Sequence, residues 1–336
     1  MYRNGVPVQH AQYEKINIVL NNAAVGDSIC SLPAIIHARK CIKNEILVWA
    51  PEYLLDLLSL LLFPYGDFTY RRLEDFPRKA SERNVAEDGP VVINGIQSNQ
   101  FTRNRCSLVD YAFAPISDSW PDNDAERSYP TEAPIGRRTI PGPYIVIPVN
   151  ATSDNKLFHH TVLGPVVEWV LGAGFKPVIT GKSTTKLHAI GFEGKPIELK
   201  IRTDYDKLPD DLRAECLDLR DKLTLVQVRD VCGHAAHVVG VDGGTIHVAA
   251  TTDAPIVYCL TTTRPEHRSV VRHGKSNWRV KHVTPRDLEC AGCQSNWRMV
   301  IRHDFSTCFY GDSLCVERLS PQDIIDAISQ LTTERL

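Results

Sequence analysis

One segment, residues 238–250, constrains the fold of this chain more than any other. It reads Val-Val-Gly-Val-Asp-Gly-Gly-Thr-Ile-His-Val-Ala-Ala, an apolar run that ends at Asp242 and is followed by two glycines and a helix start. A second apolar run begins after Ala254-Pro255. This order of strand, tight turn, helix and strand predicts a parallel α/β unit.

The turn of this unit has the composition of an anion-binding loop. Backbone N–H groups at a helix start lack partners within the helix and carry the positive end of its dipole. Gly243 and Gly244 would let an anion approach those groups, so we expect Gly243, Gly244 and Thr245 to hold phosphate and a Gly244→Val variant to block it. We expect Asp242 to accept hydrogen bonds from sugar hydroxyls. An ordinary strand-to-helix turn explains the two glycines equally well.

The length of the chain indicates more than one domain. With 336 residues, 43% of them apolar and 23% charged, it has the composition of a globular protein with two α/β domains. Prolines and glycines cluster between residues 130 and 143, which is typical of a linker. We therefore predict an N-terminal domain over 1–140, a C-terminal domain over 141–318 and a terminal helix over 319–336.

Strand and helix patterns alternate in both halves, which predicts a parallel sheet in each. In the first half, Pro33 is unfavourable in a regular helix that starts at Gly26, because a proline beyond the first turn removes a backbone hydrogen bond. That helix should therefore begin late or kink. Residues 98–127 show no sustained period. The fold we predict is α/β, with two Rossmann-like doubly wound domains facing a cleft. The predicted strands are 16–20, 46–49, 144–149 and 177–180, and the predicted helices are 51–62, 163–172 and 224–233.

Three segments resemble glycosyltransferase family 9, the heptosyltransferase family of GT-B fold. They are Gly26 to Ala34, Tyr144 to Lys156, and Asp242 to Pro255, the last of which resembles the family signature D-[ST]-G-x-x-H-x-A-A. The resemblance implies an inverting transfer from a nucleotide-diphosphate sugar, such as ADP-heptose, to a glycan or lipid-linked glycan of the lipopolysaccharide type. It also implies that the C-terminal helix crosses back to the N-terminal domain.

The same resemblance implies roles for individual residues. Asp27 would be the general base, Lys156 would contact the donor phosphate, and His247 would anchor the turn. Other interpretations stay open, because an aspartate after a glycine is a common helix N-cap and Lys156 could be a surface lysine. The chain departs from the family around the lysine, where Leu157 and Phe158 replace an aromatic-proline pair. We expect the transfer to be metal-independent.

Four cysteines near the C-terminus have a spacing that bears on metal binding. They follow the pattern C-x2-C-x14-C-x6-C at Cys290, Cys293, Cys308 and Cys315. Four thiolates could ligate one structural zinc, and without an export signal a disulfide framework is less expected. Packed thiols are an equal alternative. The first fifteen residues are polar, and no apolar stretch is long enough to span a membrane, so the expected location is cytoplasmic.

Charge leaves two further hypotheses open. The net charge of −2 argues against simple coating of nucleic acid. The segment between Arg264 and His303, however, contains nine Lys or Arg residues and three acidic residues. Transfer to a modified nucleic acid therefore stays an alternative. A catalytically inert GT-B-like binding protein is the alternative from a different class. The sequence does not determine the oligomeric state.

Overall fold

The fold contains two parallel sheets and one hairpin. The computed structural model describes residues 15–20, 24–41, 44–76, 91–93, 128–183, 186–190, 196–268, 279–295, 308 and 310–335. The irregular stretch 98–127 therefore lies outside the described residues. None of the described helices combines the length and the apolar character that a membrane-spanning segment requires.

The N-terminal sheet is built from alternating strands and helices. The helical segment 25–41 is interrupted at Ser31, and Pro33 lies in the first turn after the interruption. The predicted interruption of this helix is therefore confirmed. In chain order the elements are β1 (Lys15–Val19), α1 (Val25–Cys30), α2 (Leu32–Cys41), β2 (Glu45–Ala50), α3 (Glu52–Leu62), β3 (Thr69–Arg72) and β4 (Val91–Ile93).

The C-terminal sheet follows the same alternation. Thr224 is the N-cap of the helix Leu225–Gly233 and forms a capping box with Gln227. Its Oγ1 accepts from Gln227 N at 3.3 Å, and Gln227 Oε1 accepts from Thr224 N at 2.9 Å. The elements are β5 (Tyr144–Pro148), α4 (His160–Gly172), β6 (Lys176–Thr180), β7 (Lys186–Ile190), β8 (Pro196–Lys200), α5 (Asp210–Ala214), β9 (Leu217–Asp218), α6 (Leu225–Gly233), β10 (His237–Val241), α7 (Gly244–Ala249), β11 (Ile256–Cys259), α8 (Pro265–Arg268), β12 (Val280–Val283), α9 (Leu314–Glu317) and α10 (Pro321–Arg335).

Strand order locates the crevices in which ligands bind. The N-terminal sheet has the order β3-β2-β1-β4 and the C-terminal sheet the order β12-β11-β10-β5-β6-β9, with all neighbours parallel. The direction of winding reverses between β1 and β4 and between β5 and β10. Loops at the carboxyl ends of strands at such a reversal form the binding crevice of doubly wound sheets. The predicted α/β class with two doubly wound sheets is confirmed.

Both faces of the C-terminal sheet are buried, and alternate residues of each strand enter different cores. Val239 and Val257 face the core that contains α4 and α10, whereas Val238 and Ile256 face a core shared with the N-terminal domain. Burial on both faces explains why these strands read as continuous apolar runs. The shared core also joins the two halves, since α1 packs against α7 and α3 packs against α6.

The C-terminal helix packs on the C-terminal domain, which corrects the expectation that it crosses back. Its main contacts with other described elements are with α4, β11 and β12. Ile324, Ile328 and Leu331 are fully buried in the core on that side of the sheet. His237 Nε2 lies 2.9 Å from Thr332 Oγ1 and fixes the helix further. The apolar face of the helix thus packs against the core of the C-terminal domain. The limits at residues 140 and 318 stay predictions.

Candidate functional site

Four segments at the carboxyl ends of neighbouring strands converge on one site. Helix α1, which follows β1, carries Asp27, and the 3-10 turn Asp154–Lys156 follows β5. Asp242 directly follows β10, two residues before the start of α7, and Arg268 ends α8 after β11. The site therefore lies at the winding reversals of both sheets, where the N- and C-terminal halves meet.

Asp242 lies at the centre of the site. Lys156 Nζ donates to its Oδ2 at 2.7 Å, and the Tyr258 hydroxyl donates to its Oδ1 at 2.6 Å. Its side chain is only 4% exposed, so the two donors replace the water that it lost on burial. Both oxygens of Asp242 thus accept from protein donors, and its contact with sugar hydroxyls stays a prediction. Lys156 is 15% exposed and ion-paired, which removes its interpretation as a surface lysine.

Arg268 connects the two carboxylates of the site. Its Nη1 donates to Asp27 Oδ1 at 3.2 Å, and its Nε lies 3.8 Å from Asp242 Oδ2. Among the described residues, this buried Nε has no hydrogen-bond partner, because 3.8 Å exceeds hydrogen-bond range. A buried donor without a partner is costly in free energy. An anionic ligand that reached this nitrogen would remove that cost.

The charges of the site hold Asp242 ionised. Burial by itself would favour the protonated acid, but Lys156 and Arg268 outweigh it and hold the pKa of Asp242 well below its usual range. Burial likewise opposes charge on Arg268, and Asp242 and Asp27 raise its pKa above the ordinary value. The site thus presents two fixed cations and two carboxylates in a buried setting, where charge interactions are strong.

His247 belongs to the same cluster from the side of α7. Its side chain is 2% exposed, and its Nε2 lies 3.6 Å from Asp242 Oδ1. Its Nδ1 lies 2.8 Å from the Tyr129 hydroxyl, which in turn lies 2.9 Å from Cys30 Sγ. Burial opposes protonation of the ring, but Cys30 and Asp242 outweigh it and raise the pKa of His247 to about 9. With the ring protonated at neutral pH, the cluster gains a third cation.

Two glycines bring α1 and α7 together. A Cβ added to Gly26 would lie 2.6 Å from His247 Cδ2, and one added to Gly244 would lie 2.9 Å from Val25 Cβ. Gly244 therefore serves the contact between the helices, which differs from the expected role of leaving space for phosphate. Gly243 has φ −149 and Gly244 has no positive φ, so the turn needs no left-handed conformation. Thr245 is half-buried in the first turn of α7.

The structure brings the predicted residues Asp27, Lys156, Asp242 and His247 into one cluster. Asp27 is the third residue of α1, whose N-cap is Ala24, so the interpretation of Asp27 as the N-cap is wrong. Their roles toward a substrate stay predictions.

Sequence reasoning missed Arg268, Tyr258 and Tyr129. Arg268 was counted within the basic segment without being distinguished from its neighbours. Tyr258 had a usable signal, since it lies in the strand next to β10, which Asp242 follows, and pairs there with Gly240. Tyr129 falls beside a stretch without periodicity, which offered no signal.

The four predicted metal ligands line one small cavity. Its walls are formed by Asn155, Thr262, Cys290, Cys293, Cys308, Tyr310, Asp312, Leu314 and Cys315. All four cysteines are free, and no three of their sulfurs lie within 4.8 Å of one another in the described part of the chain. A tetrahedral thiolate site needs sulfurs roughly 3.8 Å apart, so an ion would have to draw them closer. Burial and then the neighbouring cysteines raise the pKa of Cys315 to about 12.

The cavity is attached to the segment that carries Arg268. Gly292 N donates to Thr261 O at 3.0 Å, and Gln294 N donates to Thr262 O at 2.7 Å. These bonds fasten the loop between Cys290 and Cys293 to the residues that follow β11. The cysteine loop and the ion-pair cluster therefore share one supporting segment.

Solved structures with the same architecture include bacterial heptosyltransferases. The glycosyltransferase TibC from enterotoxigenic E. coli H10407, described as iron-containing and dodecameric, aligns with a TM-score of 0.70 and 16% identity over 98% of this chain and 78% of that one. A complex of TibC with ADP-D-beta-D-heptose aligns with a TM-score of 0.69 and 16% identity over the same shares. E. coli ADP-heptose LPS heptosyltransferase II aligns with 0.61 and 14% over 96% of this chain and 99% of that one. These likenesses establish the GT-B fold.

Sequence comparison identifies the family. Comparison with curated protein sequences gives no match. The family model described as Glycosyltransferase family 9 (heptosyltransferase) matches residues 109–295, which is more than half of the chain and includes Lys156, Asp242 and Arg268. The chain belongs to glycosyltransferase family 9.

Proposed function

We propose that this protein transfers a sugar from a nucleotide-diphosphate donor, which binds between the loops after β5, β10 and β11. The observation that carries this proposal is the convergence of Lys156 and Arg268 on Asp242, next to Asp27. A departing nucleoside diphosphate gains negative charge in the transition state, and fixed cations in a buried site stabilise that charge without reorganising. The family membership supports the same reaction class.

The donor is proposed to be ADP-heptose or a similar nucleotide sugar. TibC, which shares the fold, was solved with ADP-D-beta-D-heptose bound. The acceptor is proposed to be a glycan or a lipid-linked glycan. The N–H groups of Gly243, Gly244 and Thr245 are proposed to contact the diphosphate, as expected from their place at the start of α7.

Asp27 is proposed to act as the general base of an inverting transfer. A base must lie within reach of the acceptor hydroxyl and must be free to take its proton. In the structure Asp27 is paired with Arg268. A bound diphosphate would compete for the guanidinium, whose Nε has no hydrogen-bond partner among the described residues, and so release the carboxylate for catalysis. Asp242 would hold Lys156 and Arg268 in position.

The transfer is proposed to need no metal ion at the diphosphate. Lys156 and Arg268 supply there the positive charge that a divalent ion supplies in other transferases, because both contact one buried carboxylate from different loops. Activity should therefore persist in the presence of a chelator added shortly before the assay.

A panel of donors tests the proposed reaction. Purified protein is incubated with ADP-, UDP- and GDP-sugars, ADP-heptose among them, with and without truncated lipopolysaccharide, and the released nucleoside diphosphate is measured. We expect turnover with at least one donor, stimulated by acceptor. A folded protein that releases no nucleoside diphosphate from any donor would instead support the catalytically inert binding protein.

The four cysteines are proposed to hold one structural metal ion, zinc or iron. Four sulfur ligands in tetrahedral arrangement suit either metal. The lining of one cavity by all four thiols supports the proposal, and TibC is described as iron-containing. An ion at this point would brace the segment after β11, to which the loop between Cys290 and Cys293 is bonded. Its contribution would be to stability and not to the reaction itself.

A further inference from the structure

A second cluster of ligand-type side chains lies at the start of α4. His159 and His160 come from the N-terminus of this helix, Asp204 from the segment before a 3-10 turn, and Glu317 from α9. One ligand atom from each of His159, His160 and Asp204 lies within 4.8 Å of the other two. The Asp204 side chain is 4% exposed, and the His159 side chain is 15% exposed. None of these residues belongs to the cysteine cavity or to the ion-pair cluster.

The spacing of these atoms matches a coordination sphere. His160 Nδ1 lies 2.9 Å from Asp204 Oδ2, and His159 Nε2 lies 3.7 Å from the same oxygen. Bonds of about 2.1 Å to a central ion place neighbouring ligands about 3.0 Å apart at right angles and about 3.6 Å apart at 120°. The two distances fall close to these values, so an ion could enter with little movement of the side chains.

The surroundings of the His159 ring favour a cation as ligand. Its Nδ1 lies 2.7 Å from Thr161 Oγ1, which occupies that nitrogen with a hydrogen bond. Its Nε2 lies 3.7 Å from both Asp204 Oδ2 and Glu317 Oε1, beyond hydrogen-bond range of either carboxylate. When Nδ1 carries the proton, the Nε2 lone pair faces two carboxylate oxygens across a gap. A cation in that gap satisfies all three atoms at once.

We propose that His159 Nε2, His160 Nδ1 and Asp204 Oδ2 bind one divalent transition-metal ion, with Glu317 as a fourth ligand. Two imidazoles and carboxylates suit zinc, iron or manganese and exclude calcium as the preferred ion. Thr161 orients the first imidazole, and Lys207 Nζ holds the other oxygen of Asp204 at 2.8 Å. The ion would fasten α9 and the segment around Asp204 to the start of α4, three residues after Lys156.

Asp204 also has a purely structural contact that the test must preserve. Its Oδ2 accepts from the His160 backbone N at 3.2 Å, at the first turn of α4. An asparagine can accept the same hydrogen bond but is a far weaker metal ligand. Asp204→Asn therefore separates metal binding from helix capping. His234→Gln is the matched control, because the His234 ring bonds to Gly136 O away from the cluster.

The test is calorimetric titration of the chelator-treated full chain with Zn²⁺, with a parallel Co²⁺ titration followed by absorption. Cobalt bound to thiolates gives intense charge-transfer bands, whereas cobalt bound to imidazole and carboxylate does not, so the two proposed sites are read separately. We expect the Zn²⁺ dissociation constant of this site to rise at least about tenfold in Asp204→Asn and in His160→Ala. The control and the charge-transfer bands should be unchanged.

Two results would overturn the proposal. One is a chelator-treated wild-type chain that binds Zn²⁺ at thiolate sites only. The other is wild-type Zn²⁺ affinity in Asp204→Asn and His160→Ala, both verified as folded by circular dichroism. The readout does not depend on transferase activity, so a failure here leaves the proposed function untouched.

Discussion

The guanidinium of Arg268 and the carboxylate of Asp27 lie 3.2 Å apart, and this ion pair joins the segment after β11 to helix α1. Both side chains are mostly buried, with 16% and 17% exposed. The pair lies beside Asp242, so Arg268 interacts with the proposed base and with the residue that holds Lys156. A nucleoside diphosphate that binds here would meet two cations that are already positioned.

Arg268→Gln should weaken the binding of nucleoside diphosphates by about 10- to 100-fold. Hydrogen bonds to charged groups contribute about 1.5–3 kcal/mol, and each 1.4 kcal/mol is about tenfold in affinity. Calorimetric titration with ADP measures the effect. Arg264→Gln is the matched control, because that side chain is 60% exposed and its ion pair within the described residues is with Glu266 at 4.0 Å. Equal affinities of the two variants would remove Arg268 from the donor site.

Gly244→Val should destabilise the fold, which revises the expectation that it blocks phosphate. The added Cβ would lie 2.9 Å from Val25 Cβ, which cannot rotate away, and such overpacking costs about 1–3 kcal/mol. Gly243→Ala is the control, since its Cβ would lie 3.6 Å from the backbone oxygen of Asn150, an ordinary contact distance. Urea unfolding of both variants measures the cost. A Gly244→Val protein with wild-type stability but no ADP binding would show that Gly244 leaves space for phosphate, as first expected.

The fold was predictable from sequence where apolar residues recur with the period of a strand or a helix. The C-terminal sheet was predictable because its strands are buried on both faces and read as apolar runs. The packing of α10 was not predictable. The apolar stripe of Ile324, Ile328 and Leu331 indicates that the helix is buried, but it does not indicate which domain the helix packs against.

The candidate site was predictable only where a local motif exists. Asp242 and His247 share one motif within seven residues, so their association follows from local structure. Arg268 reaches Asp27 over 241 positions of sequence, and that contact depends on how the two sheets are arranged. Gly244 shows the same limit, since a contact with Val25 in the other half explains it and the turn itself does not.

The stability of the protein should fall as the pH rises from about 6.5 to about 9, with His247 as a main cause. The pKa of His247 in the fold is about 9, above the value near 6.5 of an unfolded chain. Protonation of this ring therefore stabilises the fold fully below about pH 6.5, and the contribution is lost as the pH passes 9. The two values correspond to about 3 kcal/mol.

His247→Gln isolates this contribution. Urea unfolding of wild type and variant at pH 6.5 and at pH 9.5 should give a larger difference in unfolding free energy at the lower pH. A difference that is the same at both pH values would show that the ring is not protonated in the fold.

Purified protein should contain about one equivalent of zinc or iron bound by the cysteines. The thiolate-bound share is the difference in metal content between wild type and Cys293→Ser by elemental analysis, and a fall in melting temperature after chelation measures the contribution of bound metal to folding. Cys293→Ser should lower the content of thiolate-bound metal, whereas Cys259→Ser, a buried cysteine of β11 outside the cavity, should not. A metal-free protein that is equally stable with and without chelator would leave the four cysteines as packed thiols.

Asp27→Asn tests the central claim most directly, with sugar transfer and donor affinity measured on the same preparation. Asparagine keeps the size of the side chain but cannot take a proton, and general base catalysis contributes about 10²- to 10⁴-fold. The account predicts that transfer falls at least about a hundredfold while the donor binds at least as tightly as in wild type, because the diphosphate no longer competes with the Asp27 carboxylate for Arg268. Transfer that survives at the wild-type rate in Asp27→Asn would contradict it.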